Sequence, residues 1–139
     1  MSRIAILASM AALAASMPTV SIAQAPRRAS AVRPDYSQVT SLAAARALAA
    51  EGKLVKILLF PAELGGEDIP ENVAYIPPYA AEARQLVIGT LRRFMADELI
   101  DKLEVVPEYR GESFVPTKLV MHATHSKKKG SLHPTVEIW

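Results

Sequence analysis

The sequence has 139 residues, with 16 lysine and arginine side chains against 14 aspartate and glutamate side chains, and it contains no cysteine. The absence of cysteine excludes disulfide bonds, thiolate nucleophiles, a cysteine-linked lipid anchor and metal sites built on thiolates. The formal net charge of +2 is a near balance, so the overall charge gives no reason to expect a nucleic-acid partner.

The first 23 residues have the pattern of a secretory signal peptide. Arg3 gives a basic start, residues 4–15 form an apolar core, and small residues follow. The core is shorter than the roughly 20 residues that span a bilayer, which predicts a cleaved signal and no transmembrane segment in the mature chain. Cleavage is predicted after Ala23 or Ala25, and Ala23 is favoured because Pro26 would follow the second cut. The sequence therefore predicts an exported protein, located in the periplasm or outside the cell.

The mature chain divides into a leader and one domain. Residues 24–37 are rich in proline and arginine and lack apolar periodicity, which predicts a flexible leader. Residues 38–139 are enough for a single domain with one core. A helix is predicted over residues 38–51, because cap-forming side chains precede it and Gly52 follows it.

A second, longer helix is predicted over residues 79–101, where apolar residues recur with helical spacing. Its predicted apolar face consists of Ala80, Ala83, Val87, Ile88, Leu91, Phe94 and Met95. Glu98 falls on the continuation of this face, where a carboxylate is either used functionally or turned outward by an earlier helix end. Gly89 lies on the opposite face of the helix. A glycine there leaves a smooth strip without side chains, against which another element or a partner could pack.

Five segments have the composition of strands: residues 54–60, 72–76, 103–109, 115–124 and 135–139. The first is apolar nearly throughout, which predicts a central strand buried on both faces. Residues 62–70 between the first two strands contain two glycines and several acids, which predicts a solvated, mobile loop. The order of elements predicts an α+β fold, in which the two helices pack on a mostly antiparallel sheet of about five strands.

All three histidines lie around the last predicted hairpin. With residues 126–131 as its turn, His125 and His133 are predicted to approach each other across strands, while His122 points to the other face. Two histidines can begin a metal site, but a third ligand is required and only Glu137 lies near along the chain. We therefore assign no metal ligand set and expect no cofactor.

Lys127, Lys128 and Lys129 form the strongest local positive patch. Such a patch could bind phosphate, an acidic polysaccharide or a membrane surface, yet lysines at a hairpin tip also keep a sheet edge soluble. Aromatic residues that would stack on bases or sugars are absent from the patch.

No motif for catalysis is present, since the sequence has no nucleophile elbow, no phosphate-binding glycine loop and no calcium-loop spacing. We predict a small exported module that binds a partner protein or a ligand without catalysis. Its candidate binding residues are Lys127, Lys128, Lys129, His122, His125, His133 and Glu98. A hydrolase or a metal-binding protein that uses the histidines or Glu98 is the alternative.

Overall fold

A computed structural model describes residues 33–139, so the predicted signal peptide and residues 24–32 of the predicted leader lie outside the described residues. The α+β class is confirmed, with two helices and antiparallel sheets. The helices are α1 (Leu42–Ala50) and α2 (Pro78–Ala96). The strands are β1 (Val55–Leu58), β2 (Val73–Ile76), β3 (Lys102–Glu108), β4 (Lys118–Thr124), β5 (Ser131–Leu132) and β6 (Thr135–Glu137).

The strands form two antiparallel sheets and not the single five-stranded sheet that we predicted. In one sheet β1 pairs with β2, and in the other β4 pairs with β3 on one side and with β5 and β6 on the other. The predicted last strand, residues 135–139, corresponds to β6, and the short strand β5 before it was not predicted; the segment at Pro134 separates the two. A proline has no N–H group to continue the ladder.

Strand β1 is not the doubly buried central strand that its composition predicted. Among the described residues it pairs only with β2, and its first two residues, Val55 and Lys56, are exposed. A continuous apolar run is typical of a central strand, but it also occurs where a short strand is flanked by buried residues. Leu54, which precedes β1, is such a buried residue. In β4 buried and partly exposed side chains alternate, and Leu119, Met121 and Ala123 are fully buried in the core.

Helix α1 begins later than predicted, because Ser41 is its N-cap and accepts a hydrogen bond from the N–H of Ala44. At its end the N–H of Gly52 donates to Ala49 and the N–H of Lys53 donates to Leu48. Gly52 has a φ of 75°, a left-handed conformation that glycine adopts without steric cost.

Helix α2 ends at Ala96, five residues before the predicted end. Glu98 has a φ of 54°, its N–H donates to Met95, and the N–H of Leu99 donates to Phe94. These bonds form the same C-terminal motif as at α1, with a glutamate in the position where glycine is usual. Glu98 is therefore exposed and outside the helix, which is the second of the two alternatives that its position left open.

The loop between β1 and β2 is largely exposed, as predicted, and hydrogen bonds hold it in place. The side chain of Asn72 accepts from the N–H of Phe60 over 2.7 Å and donates to the carbonyls of Phe60 and Glu67. Gly66 lies so close to the chain that a Cβ there would stand 1.9 Å from the Phe60 oxygen. Only glycine fits at this position, and the loop is folded onto the end of β1.

The buried stripe of α2 contains a charged residue that the sequence did not indicate. Ala80, Arg84, Ile88 and Leu91 are buried, whereas Ala83, predicted to be on this face, is exposed. The guanidinium of Arg84 donates to the carbonyls of Leu58 and Leu59, where β1 ends. Burial lowers the pKa of Arg84, which the nearby Glu63 carboxylate partly offsets.

The outer face of α2 is open within the described residues. Gly89 is exposed and nothing lies within 4 Å of the place where its Cβ would be, so no neighbour covers the predicted smooth strip. Neither helix in residues 33–139 combines the length and the apolar character that crossing a bilayer requires.

We expect Arg84→Met to lower the free energy of unfolding by about 1–3 kcal/mol, because two carbonyl groups at the end of β1 lose their donor while the apolar stem is kept. Urea denaturation monitored by circular dichroism measures this change. Arg92→Met is the matched control, since Arg92 is exposed on the same helix. Equal stability of the two variants would contradict a structural role for Arg84.

Candidate functional site

The described residues form a concave cleft of about 780 Å³. Its walls are α1, the β1–β2 sheet with the loop that follows β1, and residues 107–114 beyond β3. We call this surface the cleft throughout. A volume of this size is within the range of pockets that bind small molecules or peptide side chains.

Hydrogen bonds to the segment before α1 hold the wall formed by residues 107–114. The N–H of Phe114 donates to the carbonyl of Val39 over 2.7 Å, and the hydroxyl of Ser113 donates to the carbonyl of Tyr36 over 2.9 Å. Gly111, with a φ of 57°, makes the turn that brings this wall round from β3. Ser113 is buried, so these bonds are shielded from water and fix the position of the neighbouring Phe114.

The interior of the cleft is apolar and incompletely covered. Leu42, Tyr109 and Phe114 all line it and remain 39%, 47% and 45% exposed. Partial burial raises the pKa of the Tyr109 hydroxyl, which therefore stays neutral and able to donate a hydrogen bond at physiological pH. Exposed aromatic side chains in a concavity are typical of binding sites for apolar groups.

Charged side chains of both signs surround this apolar interior. Lys56 contacts Asp68 at 2.7 Å, and Arg46, Glu71 and Glu112 also line the cleft. The Lys56–Asp68 pair is substantially exposed and contributes little to stability. A rim with both signs does not select a strongly acidic or a strongly basic ligand.

Strand β2 borders the cleft, since the consecutive residues Val73, Ala74 and Tyr75 all line it, with Ala74 and Tyr75 largely buried. The backbone N–H of Leu59 donates to the carbonyl of Asn72, which makes these two residues a hydrogen-bonded pair at the end of the β1–β2 ladder. Hydrogen-bonded and non-hydrogen-bonded pairs alternate along antiparallel strands, so Lys56 and Tyr75 form a non-hydrogen-bonded pair. The backbone N–H and C=O of Tyr75 therefore point away from β1. Within residues 33–139 these two groups have no backbone partner beyond that ladder.

The histidine arrangement differs from our prediction. His122 and His133 are the pair that meets, with their Nδ1 atoms 2.8 Å apart, whereas His125 lies at the hairpin turn. Ala123 pairs with Leu132, so the register places His133 opposite His122. The prediction was wrong because it placed the turn at residues 126–131, whereas the ladder closes with Thr124 opposite Ser131 and the turn comprises residues 125–130.

His125 belongs to a second cluster at the start of the same turn. Its Nδ1 accepts hydrogen bonds from the backbone N–H groups of Lys127 and Lys128, and the Lys128 ammonium donates to the carbonyl of Glu98 over 2.5 Å. These four residues, together with Asp101, border a shallow hollow. Lys127, Lys128 and Lys129 are exposed, and the Glu98 carboxylate makes no hydrogen bond within residues 33–139. The lysine patch and Glu98 are thus brought together by backbone groups.

The second cluster contains the three residue types of a serine hydrolase, namely Asp101, Ser126 and His125. The hydrogen bonds between them connect the side chains in a different order from that of a hydrolase. Ser126 donates its hydroxyl directly to the Asp101 carboxylate, and the nearest His125 nitrogen lies 3.9 Å from that carboxylate. In a hydrolase the histidine lies between the two and removes the proton from serine. This arrangement leaves the serine without a base, so it supports no acyl transfer.

Residues 33–139 also contain no group of three or more His, Asp or Glu side chains that could hold a metal ion. The cleft and Asp101 were not among the predicted site residues. A sequence signal for the cleft did exist, because Tyr109 and Phe114 are aromatic residues close to a glycine turn. Nothing local indicated that α1 and β2 would form the opposite walls.

Asp101 gives the second cluster a defined dependence on pH. The Ser126 hydroxyl lowers the pKa of Asp101, and the backbone N–H of Ser126, at 2.8 Å, lowers it further. A carboxyl group with a lower pKa in the folded state stabilises the protein above its unfolded pKa of about 3.9, and that contribution is lost as the pH falls through the folded value.

We therefore expect Asp101→Asn to reduce stability relative to wild type at neutral pH and to reduce it less at about pH 2. Urea denaturation at both pH values measures the difference. Asp97→Asn is a control on the same loop, because Asp97 is exposed. If the free energy of unfolding of Asp101→Asn differed from that of wild type by the same amount at both pH values, the ionisation of Asp101 would not contribute to stability.

Comparison with protein family models, curated proteins and solved structures found no match. The function must therefore be argued from the geometry of the cleft and of the two clusters.

Proposed function

We propose that this protein is a small exported, non-catalytic module that binds an extended segment of a partner polypeptide in the cleft. The observation that supports this most directly is the combination of exposed Leu42, Tyr109 and Phe114 with the backbone groups of Tyr75 on β2, which have no strand partner within residues 33–139. Apolar pockets beside a strand edge suit an extended peptide, which hydrogen-bonds along the edge and places alternate side chains in the pockets.

The chemistry of the cleft favours a peptide over the other ligands considered. A small apolar ligand would use the aromatic side chains but would leave the N–H and C=O of Tyr75 without partners. An acidic polysaccharide or a nucleic acid would require a surface with one sign of charge, whereas Arg46 and Lys56 lie beside Asp68, Glu71 and Glu112. A peptide satisfies both the apolar and the backbone groups.

We expect peptides selected from a random library against residues 24–139 to contain an apolar residue and to bind at least tenfold more weakly to Phe114→Ser and Leu42→Ser. Fluorescence anisotropy of a labelled peptide measures the affinity. The matched control is Leu86→Ser, because Leu86 is 78% exposed on α2 and does not line the cleft. Methylation of alternate backbone nitrogens in the peptide should abolish binding by removing its donors to the strand edge.

Two results would overturn the proposal. One is full affinity in both cleft variants, and the other is a loss of affinity confined to Leu86→Ser. Circular dichroism spectra of all variants show whether a loss of binding follows from a loss of fold.

Export is the part of the proposal that rests on the sequence of residues 1–23. Expression in a Gram-negative host should yield a periplasmic protein whose mass corresponds to a chain that begins at Gln24 or Pro26. A variant that lacks residues 2–23 should remain in the cytoplasm. Recovery of the full-length chain in the cytoplasm would contradict the export proposal.

A further inference from the structure

All three histidines of the sequence lie around one turn, at His122, His125 and His133. Strand β5 follows this turn and has only two residues, which pair with Thr124 and Ala123 of β4. So short a pairing is marginal by itself and needs support from side chains. We call β5 and the turn of residues 125–130 the histidine hairpin.

His125 supports the turn as a hydrogen-bond acceptor. Its Nδ1 accepts from the backbone N–H of Lys127 over 2.9 Å and from that of Lys128 over 3.1 Å. A ring nitrogen accepts only while it carries no hydrogen, and in a protonated imidazole both nitrogens are donors. Protonation of His125 therefore removes both of these bonds to the turn.

The histidine pair supports β5 in a similar way. His122 on β4 and His133 directly after β5 stand opposite each other, with their Nδ1 atoms 2.8 Å apart. One Nδ1 donates its hydrogen and the other accepts it. Once both rings are protonated, each Nδ1 is a donor and both rings are positive, so the pair has to separate. The outer face of the sheet then loses the contact that ties the end of β5 to β4.

Further positive charge is concentrated on the same turn. Lys127, Lys128 and Lys129 are exposed there, and Lys102 on β3 is the register partner of Thr124. Three imidazolium groups would therefore be added to a segment that is already basic. Like charges repel each other at this spacing, which weakens the closed hairpin further at acid pH.

The acidic side chains that face the rings come from β3 and from the segment after α2. They are Glu104, opposite His122, and Glu98 and Asp101, which border the hollow that contains His125. On β6 the acid is Glu137, which lies opposite Lys118 at the other end of β4. Carboxylates attract protonated rings, but they restore none of the hydrogen bonds between β4, β5 and the turn.

Asp101 offers the proton of His125 a second partner. One of its carboxylate oxygens lies 3.9 Å from Nδ1 of His125. The Ser126 hydroxyl, and after it the Ser126 N–H, lower the pKa of Asp101, so this carboxyl group is ionised at about pH 5. A protonated His125 can therefore turn its Nδ1–H from the backbone of the turn toward Asp101.

We propose that the histidine hairpin is a pH-sensitive element, closed at neutral pH and released from β4 when its imidazoles are protonated at about pH 5. The closed form binds fewer protons than the released form, so a fall in pH favours release. The N–H of Met121 donates to Pro134, which makes Ala123 and Leu132 a hydrogen-bonded pair in the same register. Release frees the backbone groups of Ala123, whereas β6, which contains no histidine, stays paired with β4.

Native-state hydrogen exchange of residues 24–139, followed by nuclear magnetic resonance at pH 7 and pH 5, tests this element. Protection factors are compared, because they remove the intrinsic dependence of exchange on pH. We expect the protection of the Leu132 amide to fall about tenfold between pH 7 and pH 5. The amide of Val136 in β6 is the internal control and should change by less than about twofold.

A variant with His122→Gln, His125→Asn and His133→Gln keeps hydrogen-bonding side chains that do not titrate in this range. Its Leu132 protection should be the same at both pH values. Glu104→Gln is the control that keeps all three histidines, and it should retain the fall. If the triple variant shows no protection at pH 7, His122→Gln and His125→Asn decide singly, since each should show a smaller fall than wild type.

Three results would overturn the proposal. They are equal protection of Leu132 at both pH values in the wild type, a fall of the same size at Val136, and a fall in the histidine variants that equals that of the wild type. Circular dichroism at both pH values establishes that each variant is folded.

Discussion

The contact of Arg84 with the end of β1 is the interaction that ties the two-stranded sheet to α2. A two-stranded sheet of four-residue strands is marginal by itself and requires packing against a helix. Arg84 provides this connection by donating from α2 to the carbonyls of Leu58 and Leu59. Its own Nε is buried and has no partner within residues 33–139, so the contact is made at some energetic cost.

A second network supports the opposite wall of the cleft. Trp139 donates from its Nε1 to the carbonyl of Val115 over 3.1 Å and contacts the ring of Tyr36 edge-on. The guanidinium of Arg110 lies 5.0 Å from the centre of the Trp139 ring. These contacts join the segment before α1 to the segment after β3, and the hydrogen bonds of Ser113 and Phe114 reinforce them. These contacts therefore fix the backbone segment that carries the exposed aromatic residues of the cleft.

The sequence predicted those parts of the structure that depend on neighbouring residues. Strand β4 alternates because each side chain faces either the core or the solvent, and the same local rule places α2. The buried position of Arg84 could not be predicted, since charge favours exposure unless acceptors from a distant strand are available. The pairing of His122 with His133 depends on where a turn begins, and a small error in that position changes every partner. The cleft depends on contacts between segments far apart in the chain, which no local pattern contains.

The clamp at Asn72 has a consequence for the kinetics of binding. Asn72 bonds to Phe60 and Glu67, and Gly66 is packed against the Phe60 carbonyl, so the loop that borders the cleft cannot swing away without breaking the end of β1. Within the described residues this loop is not a lid that has to open before a partner enters. Association should then be a single bimolecular step whose observed rate rises linearly with partner concentration, without a slower phase from rearrangement of the loop.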